Sequence, residues 1–184
     1  MMRQKWVDEV LNFWFRELTP EDWFQQKDAT DRAIRERFLR LHSDLQRNFP
    51  EEALRDPRAA LAAIIVFDQF PRNMFRRTPE AFSTDPLALK LAKNAVENGL
   101  DKELTVQERQ FLCMPFQHSE ALEDQERSVE LFEATGDKEG IRYAIEHRDI
   151  IARFGRFPHR NRALLRESTP EELSFMKGHE GYGQ

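Results

Sequence analysis

Nine consecutive apolar residues, Ala59 to Phe67 (AALAAIIVF), constrain this chain more than any other stretch. Asp56-Pro57 ahead of them reads as a helix start, a capping carboxylate followed by proline at the first helical position. A helix apolar on every side has no face to give to water, so it belongs in the middle of a protein with other elements packed round it. It should run to about Gln69 and end at Pro71, because the residue before a proline avoids helical angles. Nine residues fall well short of the roughly 20 that a membrane-spanning helix needs. A soluble protein with no membrane partner is expected.

The rest of the chain reads as the cover for that helix. Trp6, Val7, Val10, Leu11 and Trp14 share one face of a helix over about 6–18, widened by Phe13 and Phe15. Thr19-Pro20-Glu21-Asp22 restarts a short helix, with Trp23 and Phe24 as packing residues. Ile34, Phe38, Leu41 and Leu45 mark a long helix from about Ala29 to Asn48, with His42 beside the stripe and facing solvent. Asp85-Pro86 opens a helix that stops at Asn98-Gly99, and Thr105 with Glu108 forms a capping box for one ending near Pro115. Ser119 caps the next, with Leu122, Gln125, Val129 and Phe132 inward and Gly136 as its stop. A helix over about Lys138 to Phe154 and a short one after Thr169-Pro170 follow, and the tail 177–184 is expected to fray.

No stretch alternates with period two, and seven glycines are too few for a sheet protein with many tight turns. The fold class is therefore all-α, one domain over 1–184 with its core at about 6–176, built as an antiparallel array of helices joined by short connections. Cys113 stands alone, so no intrachain disulfide and no cysteine-rich zinc site can form, and a reducing cytoplasm fits that count. Cys113 itself reads as a buried, inert thiol. The N-terminal MMRQKWVDEVLNFWF carries acids within its apolar run and does not read as a signal peptide. A net charge of -5 gives no support for nucleic acid as a partner.

Three polar stretches stand out. In DQFPRNMFR, Asp68 to Arg76, the carboxylate of Asp68 lies near the C-terminal end of the buried helix, where the macrodipole disfavours it. It needs cations or donors, and Arg72, Asn73 and Arg76 are the local candidates. A structural ion-pair network of Asp68, Arg72, Arg76, Glu120 and Asp124 is the favoured reading, with Arg72 also a ligand-binding candidate. In MPFQHSEALEDQ, Met114 to Gln125, Glu120, Glu123 and Asp124 complement a helix N-terminus, while His118-x-Glu120 is far short of a metal signature.

The third stretch is HRDIIARFGRFPHRN, His147 to Asn161. From Arg142 to Arg166 there are seven Arg, no Lys and only two acids, Glu146 and Asp149. Arg without Lys suggests bidentate recognition of carboxylate or phosphate. Arg142, Glu146, Asp149 and Arg153 fall at four, three and four, an ion-paired outer face. His147 lies on a semi-apolar seam, a core residue in the first instance and a pocket ligand in the second. Arg156, His159, Arg160 and Asn161 in the following loop could cradle an anion, or could equally clamp Glu120 and Asp124.

Assembled in order, FWF, DQFPRNMFR, FSTDPLAL, MPFQHSE with EDQERS, HRDIIARFGRFPHRN and REST-PEE resemble the bacterial "domain of unknown function 924" family over about Trp6 to Met176. The resemblance implies an all-helical, tetratricopeptide-like fold and no particular activity. Arg16, Arg77 and Leu165 stand where glycine would be expected in that family, so those turns should be tightened or re-aimed.

Three classes of function follow. The first is binding of a small anionic ligand by Arg72, His118, His147, Arg156, His159, Arg160 and Asn161. The second is a hydrolase-like acid–base enzyme with His118, Glu120 and His147 as candidate catalytic residues. The third is a scaffold for a protein partner. With no P-loop, no G-x-G-x-x-G and no His-rich metal signature, neither a cofactor nor a metal is expected. Whether His118, His147 and His159 meet in space decides among them.

Overall fold

A computed structural model describes residues 5–179, 181 and 182, and the chain folds as helices throughout, with no strand among those residues. In order these are α1 (Lys5–Asn12), α2 (Pro20–Phe24), α3 (Asp28–Arg47), α4 (Pro57–Ile64), α5 (Phe70–Met74), α6 (Asp85–Glu97), α7 (Val106–His118), α8 (Leu122–Glu133), α9 (Lys138–Phe154) and α10 (Pro170–Lys177). They form one helical domain, and no helix of the described residues is long and apolar enough to cross a membrane.

The apolar helix sits where its composition demands. Asp56 Oδ1 accepts from the Ala59 N–H at 2.8 Å to start α4, and every residue from Ala59 to Asp68 is buried. Helices α1, α6 and α7 pack on it, while α7, α8 and α9 continue the array as successive neighbours. Aromatic rings from the end of α1 bind the N-terminal half together. Phe13 lies 5.0 Å from Phe38 of α3, and Trp14 meets Phe70 at 5.8 Å and Phe111 at 5.5 Å. Trp23 joins this block, but Phe24 is 69% exposed, contrary to its expected packing role. Leu122, expected inward, is the first residue of α8 and is exposed.

Two prolines expected to end helices do not. Pro71 lies inside a continuous helical path, because a five-residue π turn, Ile65–Gln69, joins α4 to α5. Proline has no N–H for the carbonyl four residues before it, and that carbonyl, Phe67 O, accepts instead from the Thr84 hydroxyl at 2.7 Å. The same hydroxyl oxygen faces His42 Nε2 at 3.1 Å. His42 is therefore buried between α3 and the start of α6, not turned to solvent. Pro115 likewise sits within α7, which runs on to His118.

Among the glycines at positive φ, Gly99 follows α6 and Gly155 ends α9. Two non-glycine residues adopt the same left-handed region, Arg77 (φ 63°) and Leu165 (φ 54°). Both are positions where glycine was expected. Arg16, the third, lies in a π turn that extends α1. The tail does not simply fray: His179 meets Glu146 at 2.8 Å and Tyr182 stacks on His147 at 3.9 Å, while residues 180, 183 and 184 lie outside the described ones.

Candidate functional site

The three polar stretches converge at one corner of the molecule, and the helix path through the prolines is what brings them there. Asp68, in the π turn after α4, is fully buried. His118, the last residue of α7, places Nδ1 2.7 Å from Asp68 Oδ1. Gln69 Nε2 donates to the other carboxylate oxygen at 2.7 Å. Burial alone would raise the Asp68 carboxyl, but the charges of His118 and Arg72 beside it outweigh that and hold it well below the usual carboxylate range. An ionised carboxylate only accepts, so His118 Nδ1 carries the proton in that bond. Burial, helped by Arg72, then pushes His118 below its ordinary value against the pull of Asp68. The ring is neutral at pH 7, its side chain is 10% exposed, and Nε2 has no hydrogen-bond partner among the described residues.

Arg72 was expected to pair with Asp68, yet its main partner is Asp85 at the start of α6. Two bonds of 2.7 and 3.0 Å form a bidentate pair, against 3.5 Å to Asp68 Oδ1. Arg72 Nη1 also donates to the Asp68 carbonyl at 2.6 Å. Arg160 reaches the same corner from the loop after α9. Its guanidinium donates to His118 O at 3.1 Å and lies 4.7 Å from the Phe82 ring and 4.5 Å from the Phe157 ring. Burial and the nearby Arg72 charge lower it to about 10.

The remaining loop residues are tied up internally. Arg166 grips Glu120 with bonds of 2.8 and 2.9 Å, and Glu120 also accepts from the Phe157 N–H at 2.8 Å. Arg156 grips Glu172 of α10 at 2.8 and 2.9 Å, Asn161 donates to the same carboxylate at 3.1 Å, and Arg166 Nε donates to Asn161 Oδ1. The loop does clamp carboxylates, but not as expected: Arg156 and Asn161 hold Glu172, while Glu120 is held by Arg166. Asp124 is turned away to Lys93 at 2.6 Å, and Arg76 pairs with Asp31 of α3, so neither belongs to the network at this corner. The alternating face of α9 does not pair within itself: Arg142 meets Glu139, Asp149 meets Arg148, Glu146 meets His179 and Arg153 meets Glu171.

His147 and His159 flank the corner under the tail. His147 Nδ1 lies 2.7 Å from the Tyr143 carbonyl, which fixes the proton on that nitrogen, and the ring is buried against Tyr182 and Phe157. Burial first, then the neighbouring His118, lowers it to about 3. His159 is lowered to about 3 by burial and by Arg160, and both its ring nitrogens are buried without a partner among the described residues. Cys113 is buried, as expected, and burial pushes its thiol up to about 12. No group of three or more His, Cys, Asp or Glu among the described residues is placed to hold a metal ion.

Counted in space, the guanidiniums of Arg72, Arg156, Arg160 and Arg166 face the carboxylates of Asp68, Asp85, Glu120 and Glu172. Four meet four. Within the 142–166 segment, Arg153, Arg156 and Arg166 take carboxylates from other elements, Glu171, Glu172 and Glu120. Asp85, the partner of Arg72, and Glu172, the partner of Arg156, were both missed in the sequence as charge partners.

A family described as a bacterial protein of unknown function, DUF924, matches residues 10–180. The solved structure of a protein of unknown function from Agrobacterium tumefaciens is 38% identical, with a TM-score of 0.88 over 95% of this chain and 97% of that one. No curated protein matches.

Proposed function

The chain belongs to the DUF924 family of bacterial proteins of unknown function, and from the geometry of the His118 corner we propose that it is an enzyme performing acid–base chemistry on a small molecule. The observation that supports this is the pair His118–Asp68. A fully buried carboxylate holds Nδ1 of a neutral imidazole at 2.7 Å, and Nε2 is left without a partner. That is how a proton acceptor is oriented by a third group in nucleophilic and general-base sites. In this reading His118 Nε2 takes a proton from water or from a substrate hydroxyl. Asp68 fixes the tautomer and stabilises the imidazolium that forms, and Arg160 braces the residue by donating to the His118 carbonyl. Glu120 has no part in this reading, because Arg166 and the Phe157 N–H engage both its oxygens. Binding of an anion by the Arg/His loop has less support, since Arg156 and Asn161 are committed to Glu172.

Hydrolysis of p-nitrophenyl acetate and p-nitrophenyl phosphate by the wild type and by His118→Gln tests this. The expected result is turnover that rises with pH as His118 loses its proton and that falls by roughly 100-fold in the variant, the scale of general-base catalysis. Rates that ignore His118→Gln would overturn the proposal. A melting series across anions at fixed ionic strength addresses the loop. Internal pairing predicts no rise with phosphate, and a lower melting temperature for Arg156→Ala whether or not the anion is present.

A further inference from the structure

The corner has as many carboxylates as guanidiniums, but a second face of the same motif does not. Asn73, Phe75 and Arg76, from α5 and its end, turn away from His118 and line a groove of about 500 Å³ against α3. That volume falls in the range of small-molecule sites. On the α3 side the groove is bordered by Arg32 and Arg35, which lie three residues apart and are both exposed. Among the described residues neither meets a carboxylate.

The reason is local. Asp31 is the carboxylate nearest to them in sequence, and both its oxygens are already engaged. Arg76 holds them at 2.6 and 2.9 Å, and Asn73 donates to one of them at 2.8 Å. Glu80, the other acid of the groove, is drawn to its own turn, where bonding to Thr78 lowers its carboxyl. Arg35 lies over the Phe75 ring at 5.6 Å. A guanidinium resting on an aromatic face is held in orientation by cation–π attraction while its N–H edge stays free to donate. A planar, weakly hydrated cation held in this way recognises oxyanions bidentately.

We propose that this groove binds a small molecule that carries a phosphate or carboxylate group on an apolar or aromatic body. Arg32 and Arg35 take the oxyanion, and Phe75 supports the body. Asp31, Asn73 and Arg76 act as the brace that fixes α3 against α5 and keeps Asp31 from neutralising the two free cations. The site is separate from His118, so either proposal can fail without the other.

Phenyl phosphate, inorganic phosphate and benzyl alcohol are the probes, followed by the arginine side-chain Nε–Hε resonances in the full chain. Phenyl phosphate should shift Arg32 and Arg35 saturably, bind more tightly than inorganic phosphate, and leave Arg160 unmoved. Benzyl alcohol should leave both arginines unshifted. Arg32→Gln/Arg35→Gln, both at exposed positions, should keep the melting temperature and weaken binding by at least roughly tenfold, the loss of one charge-assisted pair. Shifts that never saturate, or that persist unchanged in the double variant, would refute the site. Equal affinity for phenyl phosphate and inorganic phosphate would refute the part given to Phe75.

Discussion

At Arg77 and Leu165 the backbone occupies the left-handed region with a side chain attached. Such a conformation costs about 1–2 kcal/mol for an ordinary residue, while glycine there gives back roughly 0.5–1 kcal/mol through its freer unfolded chain. Both side chains are exposed, Leu165 by 88%, so neither substitution removes packing. Arg77→Gly and Leu165→Gly should each stabilise the protein by about 0.5–1 kcal/mol, read from the midpoint of urea unfolding. These positions were visible in the sequence as departures from the family pattern. Asp68→Asn makes a second test at this scale. The Asp68 charge raises the His118 pKa, so removing it should move the His118 titration to lower pH, followed by its ring proton resonances. A titration that stays in place would mean that the pair is not coupled through charge.

The fold class, the buried apolar helix and most helix starts follow from caps and periodicity, since these are interactions within a few residues. What escaped the sequence was decided across elements. The continuation through Pro71 depends on a hydroxyl 17 residues beyond Phe67, whose carbonyl it satisfies, and no local pattern announces it. His42 was misplaced for the same reason, because the element that covers it is the one carrying Thr84. The charge partners of the loop, Glu120 and Glu172, lie 46 and 16 residues from the arginines they bind. Thr84→Val should expose how much this bridge matters. It would strand the Phe67 carbonyl and the His42 Nε2 in buried positions, at about 1–3 kcal/mol for each group left without a partner. Thr84→Ser keeps the hydroxyl and should lose far less. Equal losses in chemical denaturation would place the effect in the methyl group instead.

For the whole molecule, the histidines of the covered corner set a pH limit. His147 and His159 fall from 6.5 to about 3 on folding, so below pH 6.5 the unfolded chain binds protons that the folded one refuses. Stability should be flat only between about pH 7 and 8, since above that the raised Cys113 thiol favours the unfolded chain, and should decline from about 6.5 toward 3, by on the order of 1 kcal/mol per pH unit for each histidine. The depressed carboxyls of Asp68 and Glu172 add their own loss only below about pH 4.5. The interval between pH 6.5 and 4.5 therefore belongs to the histidines. Urea midpoints across that interval should fall less steeply in His159→Phe, with the His147 share remaining, and a slope unchanged by that substitution would assign it elsewhere.

The central position of α4 also bears on how the chain is made. Its cover comes partly from α1, already synthesised, and partly from α6 and α7, which follow. Fifty residues separate Asp68 from His118. At roughly 5–20 residues per second, the stickiest segment of the chain spends about 3–10 seconds outside the ribosome before its last wall arrives. Synonymous codons that slow translation while α6 and α7 are emerging from the ribosome should lower soluble yield without altering the finished protein. The same codons placed ahead of α4 should not.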